Sequence, residues 1–265
     1  MTAAAVTGLR ATHDDLLGVL AGLTTDDWEL PSACAGWRVH DVIAHVTSNF
    51  KEMVDPTPAP ADPPPPITAE QAMEALVEPR RTWTSRQLIE EYERYADGAF
   101  ATLAAMQDEP LASMSLAVAD LGTYPMHALA NAYCFDHYCH LRHDLSAPAG
   151  PLATQLPAVD DVRLRPGIEW MWTGLPQMCA SAMTVVERPF TVELSGPGGG
   201  TWTLHPAEAD GLIRIVEEGG GVATATSTAH DFVRWATGRG PWRAACSLRG
   251  DTHYAALVLD AIDII

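Results

Sequence analysis

Lysine is almost missing from this chain. Lys51 is the sole lysine among 265 residues, and lysine and arginine together number 16 against 34 acidic residues, a net charge of −18. Nucleic acid or an anionic membrane is gripped by clustered cations, so neither partner is expected. No stretch reaches the roughly 20 apolar residues of a membrane span. The amino terminus, Met-Thr-Ala-Ala-Ala-Val-Thr-Gly-Leu-Arg, also lacks the cationic start and apolar run of a secretory signal. A soluble cytoplasmic protein, monomer or homodimer, is the expectation. Cysteine is scarce: Cys34, Cys134, Cys139, Cys179 and Cys246 form an odd set without Cys-x-x-Cys spacing. Reduced, mostly buried thiols are expected in place of a disulfide framework. There is no Gly-x-Ser-x-Gly elbow, and the glycine run at 196–200 lacks the Lys-Ser/Thr of a phosphate loop. A covalent hydrolase and a nucleotide-phosphate cradle are both disfavoured.

Punctuation divides the chain. Leu9, His13, Leu16, Leu17 and Leu20 recur at helical spacing over about 5–22, and Val42, Ile43, Val46 and Met53 do so over about 39–53. The proline tract 55–66 cannot continue a helix and is expected to be an extended surface connection. Helical patterns resume at about 68–78 and 84–107, and a glycine turn near Gly122 leads into a helix over Pro125–Leu145. After a Pro/Ala-rich segment at 147–157, another helix is expected at about 160–182, so the chain reads as all-helical to this point. Then alternation takes over. Phe190–Leu194 and Thr201–Leu204 form a hairpin across Gly196–Gly200, with further strands at 212–216 and 222–226, a helix at 228–236 and an apolar closing segment at 255–264. Two domains follow, a helical one over 1–183 and a small α+β one over 184–265.

One stretch carries most of the chemistry, Asn-Ala-Tyr-Cys-Phe-Asp-His-Tyr-Cys-His-Leu-Arg-His-Asp-Leu at 131–145. A helix turns 100° per residue, so Asp136, His140 and His143 fall within roughly 60° of one another. With His45 from the earlier helix, Asp136 and His140 look like ligands of a divalent ion, zinc by preference, with positions left for water or substrate. Cys134 and Cys139 lie on opposite faces and read as core residues. His137 points about 100° away from Asp136 and is expected at the edge of the site or packed outside it. Asp41, one turn before His45, is expected to cap the helix or form a salt bridge, with a hydrogen bond to a ligand imidazole as the alternative. Trp37 and His13 are read as packing or surface residues.

The segment Cys34-Ala-Gly-Trp-Arg-Val-His-Asp-Val-Ile-Ala-His45 resembles the opening motif of the mycothiol-dependent maleylpyruvate isomerase family, within the DinB-like metal-binding superfamily. That motif reads Cys-x-Gly-Trp-x-Val-x-Asp-x-x-x-His, and its last histidine is a metal ligand in the family. An acidic residue and a histidine four apart on a later helix form the second signature and map onto Asp136 and His140. Residues 194–204 and 231–239 look like the family's second domain, of sterol-carrier-protein-like fold. The resemblance implies a DinB-like four-helix bundle followed by an α+β domain. It also implies a divalent metal and mycothiol as thiol cosubstrate.

Two positions depart from the family pattern. Asp136 stands where Glu is usual, and the Asp usually found three residues after the second histidine is replaced by His143, followed by Asp144. Either His143 substitutes for that residue or a local shift brings Asp144 into its role. The resemblance implies thiolate addition to a small electrophile, followed by elimination of an isomerised product or by S-transfer. Asn49, one turn after His45, and His143 are the candidates to contact the cosubstrate. Arg239 is the candidate from the second domain for a substrate carboxylate, because a guanidinium matches a carboxylate fork. Metal-assisted hydrolysis on the same scaffold, or a noncatalytic module binding a small ligand, are the alternatives.

Overall fold

In the computed structural model, which describes residues 3–58 and 67–264, threonine opens three helices of the first half of the chain: α2 (Thr25–Glu29), α4 (Ala69–Val77) and α5 (Ser85–Ala105). In each, the hydroxyl of Thr24, Thr68 or Thr84 accepts from the third helical amide. The side chain of Asp27, Gln71 or Gln87 answers the cap amide in return. Helix α1 (Ala3–Leu20) precedes them, and α3 (Val39–Val54) stands between α2 and α4. Helix α3 starts instead from Asp41, whose Oδ2 accepts the Arg38 amide at 3.0 Å and whose carboxylate also holds the Arg38 guanidinium at 3.2 and 3.1 Å. The capping and ion-pairing role expected of Asp41 is what the structure contains.

Helix α3 packs on α5, and α1 packs on α6 (Leu129–Cys139). Leu9, Val42, Ile43, Phe50, Leu88 and Tyr92 meet in their shared core, each 0% exposed. Between α5 and α6 the structure departs from the all-helical expectation. Strands β1 (Ser115–Val118) and β2 (Gly122–Pro125) pair antiparallel across a turn at Ala119, Asp120 and Leu121, just before Gly122. Leu116 is exposed and the hairpin buries few apolar groups, so its sequence carries no clear alternation to announce it. The helix expected from Pro125 to Leu145 also breaks into parts. A 3₁₀ turn at Met126–Ala128 leads into α6, and the last turn, His140–Leu145, widens to π-helical geometry. Of the proline tract 55–66, residues 59–66 lie outside the described ones; Asp55–Pro58 are exposed.

Two compact units divide the chain, Met1–Ala158 and Val159–Ile265. Helix α7 (Asp161–Met178), grouped by pattern with the first domain, packs within the second unit. Its Trp172 stacks on Trp202 and Phe232 at centroid distances of 5.2 and 4.6 Å. That unit is built on a five-stranded sheet of order β5-β4-β3-β6-β7, comprising β3 (Phe190–Ser195), β4 (Gly200–His205), β5 (Arg214–Val216), β6 (Ala223–Thr228) and β7 (Ser247–Gly250). Strands β3 and β6 run parallel in the centre, and the other neighbours are antiparallel. The expected hairpin is β3–β4, turned by Gly196 and Gly198 at φ +77° and +75°, backbone angles that glycine adopts without strain. Helices α8 (Ala229–Ala236) and α9 (Thr252–Asp260) complete the unit. A helical region followed by an α+β region is therefore the architecture. Among the described residues no helix is long and apolar enough to cross a membrane, and none of the five cysteines is in a disulfide.

Candidate metal centre

Local structure delivers three side chains to one point. The bridge between Pro31 and Arg38, together with the Val39 amide bonded to the Leu30 carbonyl at 2.9 Å, fixes where α3 begins. His45 and Asn49 are four apart on α3 and so share a face. Asp136 lies on α6, and His140 is the first residue of the π-helical turn. His45 Nε2 stands 2.9 Å from Asp136 Oδ1, and His140 Nε2 stands 3.4 Å from the same oxygen. The candidate ligand atoms of His45, Asp136 and His140 lie within 4.8 Å of one another, the one such cluster among the described residues. An ion bonded at about 2.0–2.1 Å sets tetrahedral donor-to-donor edges of about 3.3 Å. The observed separations bracket that edge, so two imidazoles and a carboxylate fit a zinc-like ion in both donor type and spacing.

Surrounding groups orient two of the three donors. Asp144 Oδ2 lies 2.8 Å from His140 Nδ1, so Nδ1–H donates to it and Nε2 is left as the ligand nitrogen. The Asn49 amide donates to Asp136 Oδ2 at 3.1 Å, leaving Oδ1 toward the histidines. The Tyr133 hydroxyl donates to the Asn49 carbonyl at 3.2 Å. Trp37 places its ring 5.3 Å from His45 and 6.3 Å from His140, and its indole N–H donates to Glu74 at 2.9 Å.

Charge is balanced inside the cluster. Burial alone would raise the Asp136 pKa, but the His45 and His140 imidazoles beside it hold the carboxyl well below its usual range. For His140, burial works against the charged ring, yet the Asp136 and Asp144 carboxylates outweigh it and pull the imidazole up to about 9. His137 goes the other way, pushed down to about 4 mainly by burial. Its Nδ1 faces the Tyr133 carbonyl at 3.1 Å, and it is not one of the three ligands.

The sequence-derived candidates thus fall into groups. His45, Asp136 and His140 come together, and Asn49 joins them. His143 is buried and packs edge-on against Tyr138 at 6.1 Å. The carboxylate on the second histidine comes from Asp144. Arg239 belongs to the second unit, just after α8, where its amide donates to the Arg234 carbonyl at 2.9 Å. Trp37 was read as a packing or surface residue; its place in the Gly-Trp motif that leads to His45 was the available signal. Nothing in the sequence pointed to Glu74.

A helical unit that gathers two imidazoles and a carboxylate, followed by an α+β unit, defines a two-part protein with a three-donor metal-type site. Residues 9–145, just over half of the chain, match the family model described as the mycothiol maleylpyruvate isomerase N-terminal domain. The chain belongs to that family. Solved structures agree in fold. A mycothiol-dependent maleylpyruvate isomerase superposes with a TM-score of 0.53 at 17% identity, and its histidine-to-alanine mutant with 0.56 at 16%. Each alignment covers 92% of this chain and 91% of the other. Uncharacterized proteins from two strains of Mycobacterium tuberculosis are 27% identical over 222 residues, 77% of this chain and 77% of theirs.

Proposed function

We propose that this protein is a divalent-metal-dependent enzyme, with zinc the fitting ion, that uses mycothiol to isomerise a small electrophilic substrate or joins mycothiol to such a substrate through its sulfur. The carrying observation is the meeting of His45 Nε2 and His140 Nε2 at Asp136 Oδ1, from helices far apart in the chain. When bound, a divalent ion supplies positive charge that favours the thiolate over the thiol. His45, Asp136 and His140 are the residues that would hold it. Asp144 fixes the tautomer of His140, and the Asn49 amide keeps the second carboxylate oxygen of Asp136 turned aside. His45 and His140 are 4% and 8% exposed, which limits the water that competes for the same donors. Such exclusion strengthens every charge interaction at the site.

On the second unit, Arg239 keeps its proposed role as the fork for a substrate carboxylate, a task suited to a permanently charged planar group. That unit is proposed to be of the sterol-carrier-protein-like kind. A cytoplasmic setting, where thiols are kept reduced, goes with the reading.

The test has two stages. Metal content of chelator-free protein is measured for the parent, His45→Ala and His140→Ala, and is expected to fall in both variants. Mycothiol is then offered with a panel of conjugated and alkylating electrophiles, and products are followed by mass spectrometry. Unchanged metal content in both variants defeats the site. Metal bound without any thiol-dependent product defeats the reaction.

A further inference from the structure

One wall of the metal centre is held in place from outside the donor set. Trp37 lies just before α3, where its carbonyl accepts the Ser32 amide at 2.9 Å and the Ser32 hydroxyl at 2.8 Å. Those bonds fix its backbone and leave its side-chain torsions to be set by something else. The ring is partly buried, with its centroid 5.3 Å from that of His45 and 6.3 Å from that of His140. Both separations are those of paired aromatic rings.

Glu74, on α4, sets which way the indole points. Its Oε2 accepts the indole N–H at 2.9 Å, and its Oε1 pairs with Arg81 Nη2 at 2.7 Å. An indole has a single N–H to give and an ionised carboxylate only accepts, so the two groups match. Arg81 Nε in turn stands 3.7 Å from Asp41 Oδ1, and Asp41 Oδ2 accepts the amide of Arg38, the residue after Trp37. The contacts therefore close into a ring, from Trp37 through Glu74, Arg81 and Asp41 back to Arg38. That ring ties the indole to the first turn of the helix that carries His45.

Stability is a poor account of this arrangement. The Glu74 and Arg81 side chains are 43% and 32% exposed, and charge pairs so open to water add little to the fold. What the carboxylate does fix is direction: an aromatic face is kept beside two imidazoles. Such a face sheds water from the side it covers and makes favourable contacts with sulfur.

We infer that Glu74 is a positioning residue, which clamps the Trp37 indole against the His45 and His140 imidazoles and thereby tightens the binding of thiol at the metal centre. The clamp stands on the contacts just given, and its effect on thiol rests on the function proposed above.

Glu74→Ala removes a partly exposed side chain and is tested in the full chain in two ways. In metal-free protein, nuclear Overhauser contacts between the Trp37 and His45 rings are recorded, with Trp37→Phe used to assign the indole. They are expected in the parent and expected to weaken in Glu74→Ala. Contacts missing from the parent, or equally strong in the variant, overturn the clamp. Cobalt-loaded protein is then titrated with mycothiol and followed by thiolate-to-cobalt absorption. Glu74→Ala should take up as much cobalt as the parent but bind mycothiol about 2–10-fold more weakly, the worth of one hydrogen bond. In a Trp37→Phe background, which has no N–H to hold, Glu74→Ala should change the affinity no further. Equal mycothiol affinity in parent and Glu74→Ala, or the same loss in both backgrounds, overturns the inference. A parent that takes up no cobalt or no thiol defeats the proposed function instead, and the ring contacts still decide the clamp.

Discussion

Asp144→Asn isolates the contribution of a carboxylate that never reaches the metal position. The substitution keeps the size of the side chain and one accepting oxygen, but removes the negative charge that stands 2.8 Å from His140 Nδ1. The imidazole then loses the partner that makes Nε2 a better donor. Removing such an outer carboxylate weakens metal binding about 10–100-fold, which corresponds to about 1.4–2.8 kcal/mol. The lower end is expected because the amide oxygen still accepts from Nδ1. His143→Ala is the matched control, since His143 sits on the same turn but packs on Tyr138. Its metal affinity should equal that of the parent. Competition against a chromophoric chelator at fixed neutral pH measures all three proteins. Thermal unfolding is recorded beside it, because Asp144 is 0% exposed and its loss can also weaken the fold. Equal affinities for parent and Asp144→Asn, or an equal loss in His143→Ala, would refute the assignment of this turn.

Asp41→Asn should destabilise the first unit at neutral pH by about 1.5–3 kcal/mol, the usual worth of hydrogen bonds to a charged group, and toward the lower end because Arg38 is partly exposed. Burial works to raise the Asp41 pKa, but the bonds from Arg38 and the nearby Arg81 outweigh it and hold the carboxyl below its usual range. A depressed folded-state pKa gives stability that is present above the unfolded value of about 3.9 and is lost as pH falls through the folded one. Thermal midpoints measured across the acid range should therefore converge for the parent and Asp41→Asn at low pH; a constant gap would contradict the linkage. In the second unit, Gly198→Ala should cost on the order of 2–4 kcal/mol, combining the left-handed backbone with overpacking, because its Cβ would lie 2.8 Å from Leu164 Cγ. Gly196→Ala shares the positive φ but meets open space. Denaturant unfolding should show only the backbone cost there, about 1–2 kcal/mol, and equal losses in both variants would remove the packing argument.

Much of this was legible in the linear chain because the relevant signals are local. Helical spacing of Leu9, Leu16 and Leu20 places α1, and the alternation of Phe190–Leu194 with the following glycines places the β3–β4 hairpin. Asp136 and His140 announce a shared face through their four-residue spacing alone. The β1–β2 hairpin gave no such notice, since it carries exposed apolar residues and little alternation. Helix α7 was misgrouped for a related reason: its apolar stripe shows that it packs, but not that Trp172 meets Trp202 and Phe232. Asp144 remained one of two options because α-helical periodicity cannot announce the wider turn that begins at His140.

Residue order determined the elements whose causes lie within a few positions: capped helices, the glycine turn, the acidic surface, and the donor types available for a metal. Tertiary packing alone decided which of those donors meet. His45 and Asp136 are 91 positions apart, and no periodicity reaches across such a distance; their meeting depends on how α3 and α6 are set within the helical unit. The same holds for Glu74 at Trp37, because a polar group's partner is whatever neighbour the folded chain brings near.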